Sequence, residues 1–167
     1  MRWSNRCPRC WRPDRNVNRA ALAAVFLMLG QSVWADSVGE QIIAALERYR
    51  VAVLELDIDG EMASFAEDAQ LSQGSEPTIQ GRTTIRTLLQ SQAGFKVVGF
   101  DLHTAATRVE GHIAIQNGFY SQRIISPQHE STVVKGVFEV EWSRQPDGAW
   151  LISRLHTDPV EGDPRKP

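Results

Sequence analysis

Acid–base chemistry in this chain would fall to Tyr49 and to four histidines, His103, His112, His129 and His156. A histidine titrates near neutrality, so one held beside a carboxylate in a dry pocket can act as a general base. In a strand over 95–109, alternation sets His103 on the same face as Val97, Gly99 and Asp101, which makes a His–carboxylate pair, either a general base inside the fold or part of a solvated face. The same alternation groups His156 with Trp150, Ile152 and Arg154. Tyr49 falls on an apolar helical stripe. Its ring is therefore buried, and its hydroxyl needs a partner, either a structural hydrogen bond or a bound molecule. Tyr49, His103 and His156 are the catalytic candidates if the chain is an enzyme. Successive histidines lie 9, 17 and 27 positions apart, without the i, i+4 or other short ligand spacing of a zinc site, so no metal is expected.

Binding candidates come from the strand faces. Over 132–144, Val134, Gly136, Phe138, Val140 and Trp142 share one face, and Lys135, Glu139 and Glu141 the other. Burying the charged set unpaired would cost several kcal/mol, so the apolar set should face the interior, with Phe138 and Trp142 as pocket walls or plain core. Phe65, inward-facing in a short helix, joins them. Arg123 shares a face with Ile113, Ile115, Asn117, Phe119 and Ser121, where it would either grip a carboxylate bidentately or end the strand at the surface. The chain has no Gly-rich phosphate loop and no G-x-S-x-G elbow, and no cofactor is expected. Serine plus histidine licenses no triad, because the geometry that defines one is not in the sequence.

The elements that must position these groups follow from hydrophobic period. Ser37-Val38-Gly39-Glu40 fits a capping box, and Val38, Ile42, Leu46, Tyr49, Val53 and Leu56 continue as a helical stripe. Asp57 or Asp59 would cap a second helix reaching Ala66, with Met62 and Phe65 inward. A short strand over 69–72 precedes a Gly-Ser-Glu-Pro loop. Gly81-Arg82-Thr83 then opens a third helix with Ile85, Leu88 and Leu89 on one face. After Gly94 the period falls to two. Strands over 95–109, 112–125, 132–144 and 150–157 are joined by turn residues, and such close spacing predicts antiparallel pairing. Helices first and a strand meander after them is an α+β layout: three N-terminal helices packed on a strongly curved, mainly antiparallel sheet.

Ahead of this body, residues 1–35 hold six of the 18 Lys and Arg residues and one acid, Asp14. Subtraction leaves 12 basic and 19 acidic residues, a net charge of −7 over 36–167. A body so acidic repels phosphate backbones, which argues against nucleic-acid binding. The uncharged run 20–29 spans about 15 Å as a helix, half a bilayer core, so it is too short to anchor the chain. Basic, apolar and then small-x-small (Val33-Trp34-Ala35) is the order of a secretory signal, with a cut after Ala35 and a secreted or periplasmic product free of the membrane. Cys7 and Cys10 would leave with it. The domain is expected over 36–158, with a loose tail over 159–167.

Glu47-Arg48-Tyr49, Asp57-Ile58-Asp59-Gly60, Ser64-Phe65-Ala66-Glu67-Asp68-Ala69, Gly81-Arg82-Thr83-Thr84-Ile85-Arg86, Gly136, Asp147-Gly148-Ala149-Trp150 and His156 occur in an order that resembles the nuclear transport factor 2-like superfamily. That superfamily includes SnoaL-like cyclases and ketosteroid isomerases. The resemblance covers Val38 to Asp158 and implies a cone-shaped α+β barrel, a pocket inside it and, in many members, a homodimer outside. Ketosteroid isomerases use an Asp base with a Tyr and a protonated Asp as oxyanion hole. Tyr49 matches the Tyr position. The base position falls at Gln73, which cannot abstract a proton, and the acid position falls at Phe138, one residue from Glu139. Steroid isomerisation is not expected. Three functions remain: a binder of a small, largely apolar molecule, a cofactor-free acid–base enzyme using Tyr49 and a His, or a dimerising assembly module.

Overall fold

A computed structural model describes residues 37–160. The expected signal segment, its Cys7/Cys10 pair and the tail beyond residue 160 lie outside the described residues.

Helix α1 (Val38–Glu55) begins with the capping box. The Glu40 N–H donates to Ser37 Oγ at 3.3 Å, and the Ser37 N–H donates to Glu40 Oε2 at 2.7 Å. Removing such a cap costs about 1 kcal/mol. Ile42, Ala45, Leu46 and Val53 form the buried stripe. The helix stops at Leu56, which takes a left-handed conformation (φ 56°) and donates its N–H to Ala52 and Val53. Helix α2 (Ile58–Ala63) is shorter than the sequence pattern predicts. Phe65 and Ala66 belong instead to strand β1 (Phe65–Gln73), because the Ser64 carbonyl accepts from the Ile152 N–H and Phe65 pairs with Ile152 across the sheet. Here tertiary pairing overrides a helical pattern. Strand β2 (Ile79–Gln80) is a two-residue edge, and helix α3 (Arg82–Ser91) follows Gly81 as expected.

The four predicted strands are present as β3 (Lys96–Glu110), β4 (Ile113–Ile125), β5 (Ser131–Arg144) and β6 (Trp150–Pro159). Strand β6 runs through Pro159, and the Val160 N–H still reaches Lys135 O, so the chain stays on the sheet past the expected tail boundary. The sheet order is β2-β1-β6-β5-β4-β3. All neighbours are antiparallel except β1 and β6, which run parallel. The fold is α+β, three helices and a six-stranded mixed sheet, with β1 and β2 lying between α2 and α3 in the chain. The helices bury one face, called inner below. Its core includes Phe65, Phe100, Tyr120, Phe138, Trp142 and Ile152, packed against Ile42, Leu46 and Met62.

Two inner-face glycines shape the wall. Gly118 lies opposite Phe138, and Gly136 lies opposite Tyr120. A Cβ on Gly118 would stand 3.0 Å from the Phe138 ring, and one on Gly136 would stand 2.5 Å from the Tyr120 ring. Each glycine thus lets the facing aromatic lie across it, an arrangement that leaves both rings against the interior. Register shifts between Val97 and Gly99 and between Thr104 and Ala106 kink β3.

Candidate functional site

The inner face and α1 enclose a cavity of about 170 Å³. Leu46 and Tyr49 come from α1, Leu71 and Gln73 from β1, Phe100 and Leu102 from β3, and Tyr120, Gln122 and Ile124 from β4. Val134, Phe138 and Val140 of β5 and Leu155 and Thr157 of β6 complete it. Gln73 is exposed and Gln122 and Thr157 are half-buried, which places the mouth at their end. The lining is apolar apart from the two tyrosine hydroxyls, two carboxamides and one threonine hydroxyl. Among the described residues, no Asp, Glu, His, Lys or Arg lines the cavity.

Tyr49 stands where α1 crosses the sheet, its ring edge-on to Phe65 at 5.8 Å and to Phe100 at 6.3 Å. Among the described residues its hydroxyl makes no hydrogen bond, so a donor is left for whatever enters. Burial raises its pKa, and the charge of Glu61 adds to the rise. Tyr120 is raised by burial first and by Asp158 second. Both phenols therefore stay protonated at neutral pH, and the cavity carries no charge of its own.

Glu61 is a residue the sequence analysis did not single out. It is 8% exposed, on α2, and burial pushes its pKa up to about 7, with the Asp57 carboxylate adding to the effect. No ion pair compensates it among the described residues. The signal was available only faintly, as a Glu between Gly60 and Met62 in a helix too short to show a stripe.

Of the sequence candidates, Tyr49 and Phe138 line the cavity. Phe65 and Trp142 are core: Phe65 is buried behind Tyr49, and the Trp142 indole donates to Gln116 Oε1 at 3.1 Å, whose amide donates to Thr104 Oγ1 at 3.0 Å. Arg123 does not reach the cavity. It is exposed on the opposite, outer face, paired in register with Gly99 and Val133. The apolar appearance of Ile113, Ile115 and Phe119 suggested the interior for that set. In the fold, the interior belongs to their neighbours Ala114, Gln116, Gly118 and Tyr120. His103 also lies outside, exposed and stacked on Phe119 at 6.4 Å. Asp101 shares its face, whereas the bulge at Val98 turns Val97 inward. His156 is on the outer face too, bonded to Ser72 and Asp158. The structure does not bring either histidine to Tyr49. Gln73 and Phe138 do occupy the wall, and Glu139 is exposed on the outer face, so neither the base nor the acid of a ketosteroid isomerase is present. Among the described residues no three His, Cys, Asp or Glu side chains converge as a metal site.

The chain matches the SnoaL-like domain family over residues 38–156. No curated protein sequence matches it. Solved structures of similar fold include a ketosteroid isomerase-like protein from Erwinia carotovora atroseptica, with a TM-score of 0.67 and 15% identity over 74% of this chain and 96% of that one. A nuclear transport factor 2-like protein of unknown function from Shewanella oneidensis gives 0.60 and 15% over 72% and 98%. A proposed dehydratase of the nuclear transport factor 2-like family from Streptomyces avermitilis gives 0.59 and 18% over 74% and 96%. At these identities the likeness establishes the fold alone.

Proposed function

The chain belongs to the SnoaL-like domain family, and on that premise we propose that it is an exported binding protein that holds one small, neutral, largely apolar molecule. The observation that carries this reading is the uncharged lining. A ligand carboxylate or ammonium entering there would lose its hydration with no counter-charge to meet it. A neutral ring loses little, and it gains burial at roughly 25 cal/mol per Å² together with hydrogen bonds from Tyr49, Tyr120 or Gln122.

Size narrows the class further. A cavity of about 150 Å³ lined by aliphatic and aromatic groups holds benzene. At about 170 Å³ this one suits a single ring or a short branched chain, and a four-ring steroid is too large. A cofactor-free enzyme working through Tyr49 and a histidine is disfavoured, because both His103 and His156 stand across the sheet from the cavity.

Native mass spectrometry of the protein purified gently from its own host tests both parts of the proposal. The expected spectrum has a polypeptide mass beginning at Asp36, the residue after the predicted cut, and a single neutral adduct that Tyr49→Phe weakens. A polypeptide beginning at or before Arg19 would overturn export. An adduct retained equally by Tyr49→Phe would remove that hydroxyl from the binding account.

A further inference from the structure

The outer face carries a second arrangement, remote from the cavity. Register places Ser72 of β1 beside His156 of β6, which pairs in turn with Glu139 of β5, itself opposite Asn117 of β4. Ser72 Oγ is 2.8 Å from His156 Nδ1, and His156 Nε2 is 3.0 Å from Asp158 Oδ2. All three residues are half-buried, so they are held in place and yet reachable. A groove of about 380 Å³ lies on the β5 and β4 side of His156, with His156, Asp158, Asn117 and the Glu139 carboxylate in its wall and Phe119 and Val137 among its apolar residues, so the His156 ring stands between it and Ser72.

We propose that Ser72, His156 and Asp158 form a nucleophilic site that cleaves small esters, neutral ones because the Asp158 and Glu139 carboxylates stand nearby. An Asp carboxylate can only accept a hydrogen bond, so its contact with Nε2 places the ring proton there and leaves the Nδ1 lone pair facing Ser72. That tautomer makes His156 the acceptor of the serine hydroxyl proton, the relation that defines an activated serine. The ring is used in the opposite sense from the familiar serine hydrolases, with Nδ1 toward the nucleophile. The proton bookkeeping is unchanged.

In the reaction, Ser72 Oγ forms a bond to the ester carbonyl carbon while its proton passes to His156 Nδ1. The tetrahedral adduct collapses as the carbon–oxygen bond to the alcohol breaks, and the departing oxygen takes the proton from His156. Water then attacks the acyl-serine, giving up its proton through His156, which releases the carboxylic acid and restores the hydroxyl. Ser72 and His156 are the catalytic residues, and Asp158 positions the ring.

The test uses a tagged alkyl fluorophosphonate on the full-length protein, followed by peptide mapping and circular dichroism of each variant. One label on Ser72 is expected, with none in Ser72→Ala and a rate at least about tenfold lower in His156→Ala. Asp158→Asn should slow labelling and Asp158→Glu should restore part of the rate, a rescue that a merely structural role would not give. A wild-type chain that stays unlabelled overturns the proposal, as does label at another residue or a His156→Ala rate within tenfold of wild type. None of these outcomes bears on the cavity.

Discussion

Gly136→Val is expected to destabilise the domain by at least about 3 kcal/mol, enough to lower the melting temperature by roughly 10 °C. A Cβ at Gly136 would stand 2.2 Å from the Asp158 carbonyl oxygen and 2.5 Å from the Tyr120 ring. The first contact is to backbone of the neighbouring strand, which cannot rotate away, and the second is to a cavity wall. Relief would require β6 to move off β5 where Gly136 pairs with Pro159. Overpacking of this kind ordinarily costs 1–3 kcal/mol, and a backbone obstacle sits at or above the upper end. Gly39→Ala is the internal control. A Cβ there has only Ser37 Oγ near it, at 3.8 Å, and alanine improves a helical position, so stability should be unchanged or slightly higher. Thermal melts of the two variants decide the matter. Gly136→Val melting within about 2 °C of wild type would contradict the described approach of β6 and Tyr120 to Gly136.

Glu61→Gln should have the opposite effect, a gain in stability that grows with pH. The Glu61 carboxyl is raised from 4.5 to about 7 by burial first and by Asp57 second. Between those values the folded chain holds a proton that the unfolded chain has released. Stability is thus undiminished by this group below about pH 4.5 and falls as the pH climbs to about 7, after which the loss is complete. Allowing for partial solvent access, the loss amounts to roughly 1–3 kcal/mol. Removing the charge should recover that amount at pH 8 and little at pH 5. The difference between the wild-type and variant melting curves at the two pH values isolates Glu61 from the other carboxylates. A variant less stable than wild type at pH 8 would mean that the ionised carboxylate has a favourable partner.

The sequence disclosed periodic features well. The α1 capping box, the four long strands and the inward set Phe138, Val140 and Trp142 are all legible from local pattern, because burial of one face imposes a strict period. Non-local decisions were not legible. Phe65 and Ala66 read as helix, and their capture by β6 depends on residues nearly ninety positions away. Which of the two readings of Arg123 holds was not legible for a different reason. On β4 the outer residues Ile113, Ile115 and Phe119 are more apolar than the inner Ala114, Gln116 and Gly118, so hydropathy points the wrong way. Gln116, fully buried, is tolerated inside because Trp142 and Thr104 satisfy its amide. The partners of His156 could not be read either, since Ser72 lies eighty-four residues before it and only the parallel pairing of β1 with β6 joins them.

The central claim is a cavity that accepts a small neutral ring and refuses a charged one of comparable size. It is tested most directly by titrating the purified protein with phenol and, separately, with benzoate at pH 7, following the amide resonances of Leu46, Tyr49 and Phe138 by NMR. The account predicts saturable shifts with phenol, localised to these residues, and none with benzoate at the same concentrations. Saturable benzoate binding at these residues, or no binding of phenol, would contradict it.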